Sequence, residues 1–136
     1  MNYIVGQLLM HCSETLSFWL FVELIEECEL RDIYQKGLPG VAKHKYIIRY
    51  LLKKHLPDLY EHLELLQVNF HFLTYAGEWI FSIFCQCLPY QDSAVSSKFF
   101  SLFFKYKWEF FYKLILTIFD HIKEKLMMMA DDLSIL

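Results

Sequence analysis

Few side chains in this 136-residue chain have the type and spacing that chemistry demands. Arg31 and Arg49 are the two arginines, and an arginine can place a fixed cation against a phosphoryl group. Cys85 and Cys87 form C-x-C, and His11 stands beside Cys12. Neither has the C-x₂₋₄-C spacing of a zinc site, and no second pair completes one. With Cys28, these thiols read as core or partly buried small hydrophobes, not as metal ligands or a disulfide framework. Glu61-His62 stands alone, and His62 lies one helical turn after Asp58, which describes a surface helix pair better than a catalytic dyad. The glycines Gly6, Gly37, Gly40 and Gly77 build neither G-x-x-x-x-G-K nor G-x-G-x-x-G. No catalytic motif, cofactor or metal site emerges from the residues.

The elements that must position these groups are helical. Trp108, Phe111, Ile115, Ile118, Phe119, Ile122 and Leu126 recur at spacings of three and four, with Glu109, Lys113, Asp120 and Glu124 opposite. Ile47, Ile48, Leu51 and Leu52 repeat the pattern, as do Leu59, Leu63 and Leu66. Residues 15–28 are apolar on most sides and read as a central helix. Gly37-Leu38-Pro39-Gly40 is a break, and Pro57 suits the first turn of a new helix with Asp58 favouring its dipole. Asn69 and Gly77 punctuate later junctions, a helix is expected to begin at Trp79 and end at Leu88-Pro89, and Gln91-Asp92-Ser93 precedes the next. No strand, repeat or linker stands out. The expected fold is all-α, a single unit of about seven or eight helices.

Composition bounds the partners. Hydrophobic residues make up 56% and aromatics 18%, so the chain either spans a membrane, packs densely, or lacks a surface it should pack against. The apolar run at 16–24 is cut by Glu23 and followed by Glu26, Glu27 and Glu29; the run at 99–111 is cut by Lys105, Lys107 and Glu109. A spanning helix is excluded. No basic region precedes an apolar one at the N-terminus, so no signal peptide is expected and a cytoplasmic chain is, with or without a peripheral place on endomembranes. Net charge is −3, and Lys43, Lys45, Arg49, Lys53 and Lys54 read as a solvated helix face before a nucleic-acid or lipid patch. No nucleic acid is expected as a partner.

Three ordered segments say more: Leu30–Gly40 (LRDIYQKGLPG), His55–Leu63 (HLPDLYEHL) and Glu78–Pro89 (EWIFSIFCQCLP). With the opening Met1–Gly6 (MNYIVG) and with Phe18, Trp19 and Leu20 in the helix that follows it, their order and separation resemble the C-terminal part of a TBC domain. TBC domains are the GTPase-activating domains that act on Rab proteins. In that family an I-x-x-D-x-x-R segment supplies an arginine finger and a later Y-x-Q-G segment a glutamine. Neither occurs here: Arg31 has Cys28 at the Asp place, Arg49 has Tyr46, and Tyr34-Gln35 and Tyr90-Gln91 lack the spacing. Met1–Gly6 resembles the family's continuation of Y-x-Q-G, which puts the fingers ahead of Met1. The likeness weakens after Pro89, where Phe100-Ser101 replaces a usual Trp-Asp and Lys107 a usual Gly, although Trp108-Glu109-Phe110-Phe111 still fits.

The resemblance implies a GTP-bound Rab as partner, together with the N-terminal half of the TBC domain. It implies a part in vesicle-mediated traffic in which this chain supplies scaffold and some Rab-facing surface, and no activity of its own. Asn2, Tyr3, Leu38 and Pro39 are the expected partner-facing residues, with a helix-capping or turn-making role as the alternative for each pair. Trp19, Trp79, Phe84, Leu88, Pro89 and Trp108 are the expected core. Other readings are a non-catalytic helical interaction module, an inactive remnant, or an unrelated helical adaptor.

Overall fold

The computed structural model describes residues 1–65, 69–89 and 92–133, with side chains described outside 69–75 and 129–133. Seven helices follow one another: α1 (Asn2–His11), α2 (Glu14–Glu26), α3 (Leu30–Tyr34), α4 (Pro39–His55), α5 (Pro57–Leu65), α6 (Asn69–Ser82) and α7 (Ser93–Leu133). No strand occurs among the described residues. Leu66 and the Tyr90-Gln91 pair lie outside them.

The hub is α4, which packs against α3, α5, α6 and α7. Val41, His44, Ile48 and Leu52 form its buried stripe, Pro39 opens its first turn, and Lys53, Lys54 and His55 complement the dipole in its last. Helix α5 starts on Pro57 and buries Leu59 and Leu63. Helix α7 is two helices joined at Lys107, whose φ of 52° and ψ of −136° suit glycine. Phe99, Phe100 and Phe103 enter the core from its first half, and Trp108, Phe111, Ile115 and Phe119 from its second.

Residues 15–28 do not form the central helix. Helix α2 packs on α1 and α3 and buries only Ser17 and Leu24, so its all-round apolarity leaves an outward side uncovered. Gly77 is not a junction either; it lies within α6, where a Cβ would come within 3.2 Å of the Lys45 side chain of α4.

Trp79 does not begin a helix. It lies in the last turn of α6, which closes in a Schellman arrangement: the Phe84 N–H donates to the Trp79 carbonyl at 3.0 Å, and the Ile83 N–H to the Ile80 carbonyl at 3.4 Å. Ile83 and Phe84 both have positive φ, 48° and 59°. The rings of Trp79 and Phe84 stack with centroids 5.2 Å apart, the apolar contact that accompanies such a cap. Burial of Ile83 and Phe84 offsets the strain of placing side chains where glycine is usual.

Candidate interaction surface

Two places carry the expected partner-facing residues, and they lie on different elements. Asn2 and Tyr3 form the first turn of α1, both exposed. Met1, not Asn2, occupies the N-cap position, and no side chain caps the helix. Helix α1 packs on α2 and α7.

Leu38 and Pro39 form the corner between α3 and α4. Gly37 has φ +85°, Leu38 follows in the left-handed region at φ 54°, and its N–H donates to the Gln35 carbonyl at 2.9 Å. Gly40 allows α4 to cross α3, since a Cβ there would stand 2.7 Å from backbone atoms of Asp32 and Ile33. This conformation leaves Leu38 and Pro39 exposed on the corner. The sequence motif is therefore a structural turn whose outer side is available to a partner.

Beside the first place lies a surface that sequence reasoning missed. Tyr3, Leu9 and Met10 of α1 and Leu16, Phe18 and Trp19 of α2 are all exposed. Phe18 and Trp19 are 60% and 62% accessible and meet edge to face at 5.4 Å. Trp19 is thus not core. Its ring points outward on α2, where Ser17 and Leu24 are the inward positions. Contiguous uncovered apolar patches commonly belong to interaction sites, and Phe18 and Trp19 are in ring contact within this group. The available signal was the all-round apolarity of residues 15–28, which states that a side must be covered without saying by what.

A cleft of about 160 Å³ lies between α1, α2 and α7, lined by Leu8, His11, Cys12, Leu20, Phe100 and Phe104 among others. The His11 Nε2 atom is buried without a hydrogen-bond partner. Gln7 is fully buried; its Nε2 lies 3.5 Å from the Cys85 carbonyl, and its Oε1 has no partner.

The remaining expected core residues differ among themselves. Phe84 is buried, and Trp108 nearly so. Trp79 and Leu88 are half-buried against the core. Pro89 is exposed, a second correction. The chain leaves the core through the turn after Phe84, and the Pro89 carbonyl accepts from Ser96 Oγ at 3.4 Å to fix the entry to α7.

Among the described residues the titratable groups shifted furthest are the Cys85 thiol, the Tyr34 and Tyr112 hydroxyls and the His44 ring. Burial pushes the Cys85 thiol up to about 12 and raises Cys28 and Cys87, although Cys87 is exposed where a core or partly buried thiol is expected. Arg31 pairs with Glu26, and Arg49 with Glu64 at 2.7 Å and with the Tyr60 hydroxyl at 3.0 Å. No cluster of His, Cys, Asp and Glu suited to a metal occurs among the described residues. No helix of the described residues is long and apolar enough to cross a membrane.

The described residues form an all-helical unit with large apolar side chains exposed on α1 and α2. The family model of the Rab-GTPase-TBC domain matches residues 1–127, and the chain belongs to that family. The human "Ecotropic viral integration site 5 protein homolog" is 26% identical over 125 residues, covering 92% of this chain and 15% of that protein. "Rab GTPase-activating protein tbc-11" of Caenorhabditis elegans is 29% identical over 91 residues, covering 67% and 10%. "GTPase-activating protein GYP5" of Saccharomyces cerevisiae is 32% identical over 90 residues, covering 65% and 10%. The chain thus spans between 10% and 15% of the length of these relatives. No solved structure matches it significantly.

Proposed function

We propose that this chain forms the C-terminal portion of the GTPase-activating domain of a Rab regulator and serves as its scaffold. The N-terminal portion of such a domain, carrying the arginine and glutamine fingers, packs on the apolar side of α1 and α2. Phosphoryl transfer needs a cation at the β/γ-phosphates and a polar group that orients the attacking water. In this reading both come from the N-terminal portion. The chain described here holds that portion in place and presents Asn2, Tyr3, Leu38 and Pro39 towards a GTP-bound Rab. The work is done in the cytoplasm, at membranes that carry the Rab, in the control of vesicle traffic.

The observation that carries the reading is the exposure of Leu9, Met10, Leu16, Phe18 and Trp19 on the packed helices α1 and α2. The test is co-expression with a segment containing I-x-x-D-x-x-R and Y-x-Q-G from a TBC domain. A stable complex with less binding of an apolar dye than the chain alone is expected. A chain that binds no dye by itself and forms no complex would overturn the reading.

A second reading is a helical interaction module without catalysis, in which the exposed apolar side chains of α1 and α2 meet a different protein. The same co-expression separates the readings, because a self-sufficient module needs no second portion to cover α2.

A further inference from the structure

The outward face of α4 carries a charge pattern that the rest of the chain lacks. Helix α4 contains five basic residues, Lys43, Lys45, Arg49, Lys53 and Lys54, and no acidic one, in a chain of net charge −3. At about 100° per residue, Lys43, Tyr46, Arg49, Tyr50, Lys53 and Lys54 fall within an arc of roughly 140°, opposite the buried stripe of Val41, His44, Ile48 and Leu52. All six are exposed, Tyr46 at 73% and Tyr50 at 56%. The face runs for about 17 Å along the helix.

Its neighbours only partly neutralise it. Glu29 pairs with Lys43 at 2.6 Å, and Glu64 with Arg49 at 2.7 Å. Such exposed pairs are weak and exchange readily for another anion. Lys53 lies over the Tyr60 ring at 5.8 Å, and neither Lys53 nor Lys54 pairs with a carboxylate among the described residues.

We propose that this face of α4 docks on the headgroups of an anionic membrane. The cations attract the negative surface, and Tyr46 and Tyr50 lie between them. A tyrosine ring has an apolar body and a polar tip and is favoured at the headgroup level. The surface is the outer side of one straight helix, which meets a plane along its length. Single-stranded nucleic acid is instead held in a basic groove that tracks its backbone. Charge complementarity admits either polyanion, and the convex helix face with tyrosines between its cations selects acidic lipid. The proposal rests on α4 alone and not on the GTPase reading.

The test uses the full chain with phosphatidylcholine vesicles, with or without phosphatidylserine, in a sedimentation assay. Binding is expected only with phosphatidylserine and should fall as salt is raised. Lys53→Glu/Lys54→Glu should weaken it by about thirtyfold or more, with the helical spectrum unchanged. Tyr46→Ser/Tyr50→Ser should weaken it without altering charge. Lys98→Glu/Lys105→Glu, an equal change of net charge on the exposed side of α7, should bind as the parent does. Equal binding to neutral vesicles would place the contact on the apolar side of α1 and α2 and overturn the proposal. So would equal losses in the two charge-reversed variants, or displacement from vesicles by single-stranded RNA through the same lysines.

Discussion

The indole N–H of Trp108 donates to the backbone carbonyl of Cys28 across 2.7 Å, tying the second half of α7 to the end of α2. The adjacent Lys107 Nζ donates to the Glu27 carbonyl at 3.0 Å. Carbonyls past the end of α2 that its own helix leaves free are thus satisfied from α7. Trp108→Phe keeps an aromatic ring but removes the donor and shrinks the buried side chain. Leaving the Cys28 carbonyl unpaired in a buried place should cost about 1–3 kcal/mol, read as a lower midpoint in urea. An unchanged midpoint would show that neither the hydrogen bond nor the lost ring volume contributes net stability.

Lys107 has a backbone conformation that glycine adopts without strain, and it stands where the resemblance to TBC domains leads one to expect glycine. Strain of this kind costs on the order of 1–3 kcal/mol, while the exposed Lys107 hydrogen bond contributes less. Lys107→Gly should therefore raise the melting temperature. A fall would mean that the contact with Glu27 outweighs the relief.

The other two tryptophans, Trp79 and Trp19, should respond by position. Trp79 is half-buried, stacks on Phe84 and lies 6.0 Å from Phe119 between centroids. Trp79→Ala should cost about 3 kcal/mol, near the lower end for a core tryptophan. Trp19→Ala should change stability by less than about 0.5 kcal/mol yet reduce dye binding and self-association. Thermal melts and size-exclusion chromatography of the two variants check this. A reversed order would put Trp19 in the core after all.

His44 gives a pH dependence with a definite sign. Its ring stacks on Trp108 at 3.7 Å, its Nδ1 lies 2.6 Å from the Tyr112 hydroxyl, and burial pushes its pKa down to about 4, with Lys43 adding to the effect. The ordinary value is about 6.5, so between pH 6.5 and 4 the unfolded chain binds the extra proton. Stability is fully present above pH 6.5 and falls as pH drops through this window, by an amount on the order of 3 kcal/mol. His44→Phe should flatten the profile between pH 6.5 and 5. An identical slope in that variant would assign the dependence to other groups.

Much of the architecture is legible in the residues because the breakers coincide with the apolar period. Pro39 and Pro57 open helices where their missing N–H is harmless, and the stripe from Trp108 to Phe119 lies inward as its spacing requires. Gly77 misleads because a glycine needed for close approach inside a helix looks like one needed for a turn. The end of α6 is hidden because Ile83 and Phe84, not glycine, take the left-handed conformation. Trp19 misleads for a different reason. Hydrophobicity states that a side chain should be covered, and the covering surface need not belong to the same described chain. For the same reason the α1–α2 surface could not be found from spacing alone.

We propose that this chain positions and does not catalyse. GTP hydrolysis by a panel of GTP-loaded Rabs, measured with the purified chain, tests it most directly. Without an arginine supplied in trans, most of a typical 10³–10⁵-fold acceleration is forfeited. Hydrolysis at the intrinsic rate of every Rab is the result expected. Acceleration of any one of them by about tenfold, roughly 1.4 kcal/mol of barrier, would contradict the account.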